Sequence, residues 1–394
     1  MTMQPVIHLG QGVCLSPRYL TRHMGIFGAT GTGKTTTAAT VVKQLRCPVI
    51  VLDAKGDLAP LGKVVPPWQS AQMSVGALGA DLMRRVLDLS EAQSGALEIA
   101  LAWAEDHGRA CHTMDDLSDI LSDIATRVDV SDYGLVSRLS LAAVQRAILR
   151  FKRAAPWAFG PTIFNPLAVA QTTVVHAPDL VAVPGLYAAF AAHNLEAIYR
   201  GLGELGDTSA PGLAVMVDEA HLLFQDAPRA VVSRLEQIVR LIRSKGVALI
   251  FVTQSPADLP PAILGQLATR IQHGLRAGTA AQQTAARAAA ETMPGNVAAA
   301  DILGLGMGEA FISTPNGSGN PIPAMRIKVS GIKMDGRIFS DAPPSISPTP
   351  RRSAQVPPDL APQEPSAAKR RPWYFWPGVI AAGIYGPIIL ANLF

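Results

Sequence analysis

Gly28-Ala29-Thr30-Gly31-Thr32-Gly33-Lys34-Thr35 has the spacing G-x-x-x-x-G-K-[ST]. In this pattern glycines let successive backbone N–H groups converge on phosphate oxygens, and the start of the following helix adds partial positive charge. The lysine supplies a point charge to the β- and γ-phosphates of a nucleotide, and the hydroxyl after it ligates Mg²⁺. Those roles fall to Lys34 and Thr35, with Thr36 beside them. A chance Gly-rich turn is the alternative, and the strand-then-helix context argues against it. A second reactive run is Leu213-Ala-Val-Met-Val-Asp218-Glu219-Ala-His221, an apolar strand ending in paired carboxylates. At the C-terminal edge of a parallel sheet such groups face the ligand crevice. Asp218 is then placed to hold the water shell of Mg²⁺, and Glu219 to act as general base on an attacking water. Without the phosphate loop, a cap at Asp218 and a solvated Glu219 would be the simpler reading.

Further polar groups accompany this pair. Val247-Ala-Leu-Ile-Phe-Val-Thr253-Gln254 reads as a strand whose last residue reaches the same crevice, so Gln254 contacts either the γ-phosphate or a strand-end partner. Arg234, Arg240, Arg243 and Lys245 punctuate an amphipathic helix, ordinarily a solvated face. An arginine offered to a neighbouring subunit's γ-phosphate is the functional alternative, and Arg243 and Arg270 are the candidates. His221 either couples the acids to a neighbouring element or caps the strand end. Asp53-Ala-Lys-Gly56 matches the D-x-x-G of GTPases, yet no N-K-x-D guanine reader occurs in the chain. ATP with Mg²⁺ is therefore expected, with Asp53 and Asp57 as a second polar edge of the site or as strand-end caps.

The elements that must position these groups follow from hydrophobic pattern. A short strand at 24–27 leads into the glycine-rich turn, a helix over 34–45, and a fully buried strand at 48–52, the opening of a parallel α/β sheet. Residues 1–75 form the first part of this core. Residues 76–153 are Ala/Leu-rich with helix-start signals at Ser90 and Thr113, and read as a helical insertion of roughly four helices. Residues 154–342 return to the core, with strands at 172–176, 213–217 and 247–253 and helices at 186–205 and 228–244. Closing strands flank a turn at Asn316–Gly319. Nine prolines in 343–372 predict a disordered linker. Residues 373–394 contain no charge and are long enough to span a bilayer, with Trp373, Tyr374 and Trp376 at the interface and Lys369, Arg370 and Arg371 on the cytoplasmic side. An apolar tail packed on the body or on a sister subunit is the alternative.

Composition narrows the class. Of 394 residues, 48% are hydrophobic and 16% charged, which excludes a disordered polyelectrolyte. A mean hydropathy of +0.23 agrees with a membrane-seeking piece. The net charge of +4 is mostly a tail property, because residues 1–342 carry 29 basic against 28 acidic groups. Cys14, Cys47 and Cys111 lack any C-x-x-C pairing, which argues against a disulfide framework or thiolate zinc site and fits a reducing compartment. The N-terminal residues show no secretory pattern, so a cytoplasmic body held at the inner face of the membrane is expected.

Taken together, GATGTGKT with VIVLDAKGDL, VMVDEAHLLF, RLEQIVRLIRSKGVALIFVTQSPADLP and ILGQLATRIQHGLRA resemble the HerA/FtsK group of P-loop ATPases over about residues 6–340. More narrowly, they are similar to bacterial proteins with a HerA-helicase-like C-terminal domain. The resemblance implies a RecA-like P-loop NTPase core of the catalytic-glutamate class, a homo-oligomeric ring, usually a hexamer, and motor action on double-stranded DNA. It also implies that Lys34 and Thr35 bind nucleotide, Asp218 and Glu219 run hydrolysis, Gln254 senses it, and Arg243 acts in trans. HerA proteins carry an N-terminal β-barrel that docks a nuclease, which the short stretch before the phosphate loop does not lead one to expect here. The near-neutral body and the expected anchor favour a second reading, an ATPase that energises protein transfer at the membrane; a third, a nucleotide-dependent scaffold, is argued against by the intact Asp218 and Glu219.

Overall fold

The computed structural model describes residues 6–70, 72–126, 133–134, 136–161 and 164–331. The expected linker at 343–372 and hydrophobic segment at 373–394 lie outside the described residues. Among the described residues no helix is long and apolar enough to cross a membrane.

A hairpin of β1 (Ile7–Gly10) and β2 (Val13–Leu15) precedes β3 (Met24–Phe27). The phosphate loop follows, then α1 (Lys34–Gln44), β4 (Val49–Asp53), β5 (Lys63–Val65) and the short α2 (Pro67–Ser70). Four helices come next: α3 (Val75–Val86), α4 (Glu91–Asp106), α5 (Met114–Thr126) and α6 (Arg138–Ala154). Their starts are chemically marked. Ser90 and Gln93 form a capping box on α4, and Thr113 and Asp116 exchange hydrogen bonds of 2.9 and 3.0 Å at the start of α5. The chain then returns through β6 (Thr173–His176), α7 (Pro178–Val181), α8 (Leu186–Gly201), β7 (Leu213–Val217), α9 (Arg229–Leu241) and β8 (Val247–Thr253). It closes with α10 (Pro261–Leu264), β9 (Thr269–His273), α11 (Ala280–Thr292), α12 (Ala299–Leu303), β10 (Glu309–Ser313) and β11 (Met325–Lys328).

The main sheet has the order β11-β10-β9-β3-β8-β7-β4-β6-β5. From β9 to β5 all neighbours run parallel, whereas β10 is antiparallel to both β9 and β11. The central strands VIVLD, LAVMV and VALIFVT are buried along their whole length, as expected of a sheet covered on both faces. Alternation decides which face each residue serves. Ile50, Leu52, Val215, Val217, Leu249 and Phe251 point into one core with α3–α6, α8 and α9. Val49, Val51, Ala214, Met216, Ile250 and Val252 point into the other, with α1 and the β1–β2 hairpin. The helices α3–α6 thus share a hydrophobic core with the sheet.

Candidate functional site

The site lies where β3, β8, β7 and β4 end together. Phe27 is in register with Thr253, and Val217 with Leu52, so the phosphate loop, Gln254, Asp218–Glu219 and Asp53–Asp57 all leave the same edge. A single strand, β8, separates the phosphate-loop strand from the strand of acids. Two strand spacings amount to about 10 Å, room for a phosphate chain and an attacking water between Lys34 and Glu219.

The loop's backbone is shaped by glycine at the tightest places. Gly28 has φ of 147°, and a Cβ there would meet His273 Cβ at 2.6 Å; Gly33 has φ of 114° with Gly308 close behind it. Hydrogen bonds from the Ala29 amide to the Gly274 carbonyl and from the Gly308 amide to the Thr32 carbonyl, both 2.9 Å, tie the loop to the segments after β9 and before β10. Thr32 Oγ1 donates to the Ala29 carbonyl at 2.7 Å. Beneath the loop, His273 is fully buried between Thr37 Oγ1 (2.9 Å) and the Glu309 carbonyl (2.9 Å). Gly31 and Thr30 are exposed at the loop's crest, Thr35 is half-buried and Thr36 exposed at the start of α1. The amides of Gly31, Gly33, Lys34 and Thr35 meet no protein acceptor among the described residues, which leaves a cradle of donors fitting phosphate. Lys34 Nζ reaches back to the carbonyls of Gly28 and Ala29 at 2.5 and 3.1 Å. Burial and the neighbouring Lys55 lower its pKa, so an anion placed there would relieve it.

On the acidic side, Asp218 is buried, and its Oδ2 has no hydrogen-bond partner among the described residues. Burial, with crowding by Glu219, Asp53 and Asp57, pushes its carboxyl up to about 7 against the opposing pull of Lys55. Carboxylate oxygens of Asp53, Asp57 and Asp218 lie within 4.8 Å of one another. A divalent cation with its water shell answers both the orphaned oxygen and the crowding, so these residues fit Mg²⁺. Asp53 is also a cap: its carboxylate accepts from the amides of Gly56 (2.8 Å) and Leu58 (2.9 Å). Both readings of Asp53 therefore hold at once.

Glu219 has φ 46° and ψ 50°, a left-handed backbone uncommon for a non-glycine residue and often found where function demands it. Its carboxylate is ion-paired with Lys55 and lies 3.2 Å from His221 Nδ1. Burial pulls its pKa up, but His221 and Lys55 together outweigh that and hold it down to about 2. His221 in turn contacts Thr253 Oγ1 at 3.2 Å, and Thr253 donates to Asp258 at 3.0 Å, which links the acids to the end of β8. Gln254 is exposed there and lines a cavity of about 290 Å³ with Ala29, Thr30, Asp258 and Arg276.

The two arginines differ. Arg270 donates to the carbonyls of Leu267, Leu264 and Thr292, so its guanidinium is engaged within its own subunit. Arg243 pairs with exposed Asp207 at 2.7 Å and precedes β8, whereas Gln254 follows it. Seven strand residues put Arg243 at the opposite end of β8, about 20 Å from the phosphate edge of its own chain and too far to reach it. Reading the sequence alone overlooked Lys55, Arg276 and Tyr187. Lys55 hides in a segment noticed only as D-x-x-G, and it meets Glu219 because β4 is the neighbour of β7. Arg276 Nη2 reaches the Thr30 carbonyl at 3.3 Å. Tyr187 donates to the Asp218 carbonyl at 2.5 Å.

The family described as "Helicase HerA-like C-terminal" matches residues 69–334. The family described as "Type IV secretion-system coupling protein DNA-binding domain" matches residues 7–60, which include the phosphate loop. No curated protein matches the chain in sequence. Among solved structures, the unbound bacterial conjugative coupling protein TrwB superposes with a TM-score of 0.62 at 15% identity, covering 86% of this chain and 91% of that one. TrwB in complex with ADP and Mg²⁺ gives 0.60 at 13% identity, over 86% and 92%. VirB4 of Thermoanaerobacter pseudethanolicus gives 0.59 at 17% identity, over 84% and 97%. At such identities the likeness establishes a shared fold, the RecA-like P-loop core. With the family match extending over most of its length, the chain belongs to the HerA helicase-like C-terminal family of P-loop ATPases.

Proposed function

We propose that the protein hydrolyses ATP at the shared C-terminal edge of β3, β8 and β7, and that it works as an oligomeric motor of HerA/FtsK type on double-stranded DNA. The observation that carries the hydrolysis is the facing of Lys34 and its amide cradle toward Asp218 and Glu219 across a single strand. Lys34 releases the carbonyls of Gly28 and Ala29 and binds the β- and γ-phosphates. Thr35 and Asp218 would hold Mg²⁺, which when bound neutralises charge on the phosphate oxygens. Glu219, freed from Lys55, takes the proton of the attacking water, while Gln254 orients that water at the end of β8. Arg243 of an adjacent subunit reaches the γ-phosphate in a ring. The structure of TrwB with ADP and Mg²⁺ supports the nucleotide assignment, and the coupling-protein DNA-binding match supports DNA as the track.

The near-neutral charge of residues 1–342 favours a second reading, an ATPase that energises protein transfer at a membrane without nucleic acid. Attachment to the inner face of a membrane through 373–394 is a proposal from sequence alone; flotation with vesicles, lost on deleting that segment, tests it. Steady-state turnover with and without duplex DNA separates the motor from the protein-transfer reading. DNA stimulation that disappears in Lys34→Ala supports the first. Turnover indifferent to duplex length and salt rejects it in favour of the second.

A further inference from the structure

Charge is segregated between two packed helices. Helix α5 carries Asp115, Asp116, Asp119 and Asp123 and no base, while α6 carries Arg138, Arg146, Arg150, Lys152 and Arg153 and no acid. The base facing α5 is neutralised there, since Lys152 pairs with Asp115. Arg146, Arg150 and Arg153 are spaced by four and three residues, which sets them along one helical face. All three are exposed, and none makes an ion pair among the described residues. At Arg150 their stripe borders a cleft of about 1060 Å³ between α6, the end of α3 and the segment leading into α9. Arg84, Arg85, Arg150 and Arg229 line it against Asp88 and Asp226. No role in nucleotide chemistry accounts for this cleft, which lies away from the phosphate loop.

The floor of the cleft is wired to the catalytic segment. Arg85 donates to the carbonyls of Leu222 and Leu223, each at 2.9 Å, and to that of Gln225, all in the turn that follows Glu219. Tyr187, also in the cleft lining, holds the Asp218 carbonyl. Planar guanidinium forks in a row, with successive positions on α6 rising about 6 and about 4.5 Å, suit a chain of phosphates better than a single small anion. We infer that the arginine stripe of α6 and the adjoining cleft form a nucleic-acid backbone site, and that Arg85 and Tyr187 carry its occupancy to Asp218 and Glu219. The inference rests on the DNA-motor reading and adds the contact surface and the route of stimulation. Arg85 and Tyr187 are positioning residues, because they act through the turn and strand end they hold.

The test compares full-length wild type with the triple variant Arg146→Ala, Arg150→Ala and Arg153→Ala, checked by circular dichroism for retained fold. Anisotropy of a labelled duplex over a salt series should show weaker binding in the variant, by at least about tenfold at moderate salt, with the salt slope reduced by about one per arginine removed. Turnover without DNA should be unchanged and DNA stimulation lost. Tyr187→Phe, which removes no charge from the cleft, should keep DNA affinity while losing stimulation, which a merely structural role would not separate. Equal affinity and slope in the triple variant would overturn the surface while leaving the motor reading intact. Absence of duplex binding by wild type would overturn both. Arginine-dependent binding to phosphatidylglycerol vesicles or polyglutamate in place of duplex would likewise overturn the assignment of nucleic acid.

Discussion

Arg270 and Arg243 are the same side chain in opposite circumstances. Arg270 directs its donors to the carbonyls of Leu264 and Thr292, at the ends of α10 and α11, and of Leu267 in the turn before β9, so its guanidinium is held within its own subunit. Arg270→Ala removes the guanidinium donor from those carbonyls and should destabilise the fold by about 2 kcal/mol, read as a lowered urea midpoint with little change in m-value. Arg270→Lys should recover only part of that, because an ammonium cannot reproduce the fork. Glu219 has a related economy. Its left-handed backbone and its two cationic neighbours hold a weakly basic carboxylate ready but restrained, and the paired Lys55 lies close enough to Lys34 for their charges to interact. Binding anionic phosphates between these lysines gives each a new partner, a direct physical route to releasing Glu219 for proton transfer.

At the scale of elements, His23 joins three of them. Its Nε2 meets the Val239 carbonyl at 2.7 Å at the end of α9, and its Nδ1 accepts from the Leu249 amide of β8 at 3.1 Å, just before β3 begins. Only the neutral ring satisfies both bonds, and burial lowers its pKa from 6.5 to about 4, with Arg243 adding to the effect. A histidine kept neutral in the fold contributes its full stability above the unfolded value and loses it as pH falls between 6.5 and 4. The loss approaches about 3 kcal/mol at lower pH. His273, buried beneath the phosphate loop, is likewise lowered to about 4, mainly by burial. Urea unfolding across that pH window should therefore show a steep decline, and His23→Gln should flatten it. The strands β4, β7 and β8 were legible in sequence because a parallel strand buried on both faces must be a continuous apolar run. Strand β9 was not, because Thr269, Gln272 and His273 are buried polar residues and the apolar run never forms. β5, at three residues, is too short for periodicity to act. The phosphate loop and Asp218–Glu219 announced themselves by local spacing. Lys55 did not, because strand order, a long-range fact, makes it Glu219's neighbour.

For the whole molecule, the separation of Arg243 from its own phosphate loop makes the ring a mechanistic requirement of the proposal. If Arg243 serves a neighbour's site, Arg243→Ala and Glu219→Gln are each inactive alone, and mixing them should partly restore turnover at junctions where an intact glutamate meets an intact arginine. Mixing without any recovery would contradict action in trans. The same scale governs charge. A body of near-zero net charge still concentrates exposed arginines on one face of α6, so net charge alone is a poor guide to what the surface contacts.

The most direct test of the account is to measure nucleotide binding and steady-state hydrolysis side by side in wild type and Glu219→Gln. The account predicts that the variant binds ATP with Mg²⁺ as wild type does while turnover falls by at least about a hundredfold, the usual scale for loss of a general base. Turnover within a few-fold of wild type would show that Glu219 does not carry the proton transfer, and would remove the chemical centre on which the rest of the mechanism is built.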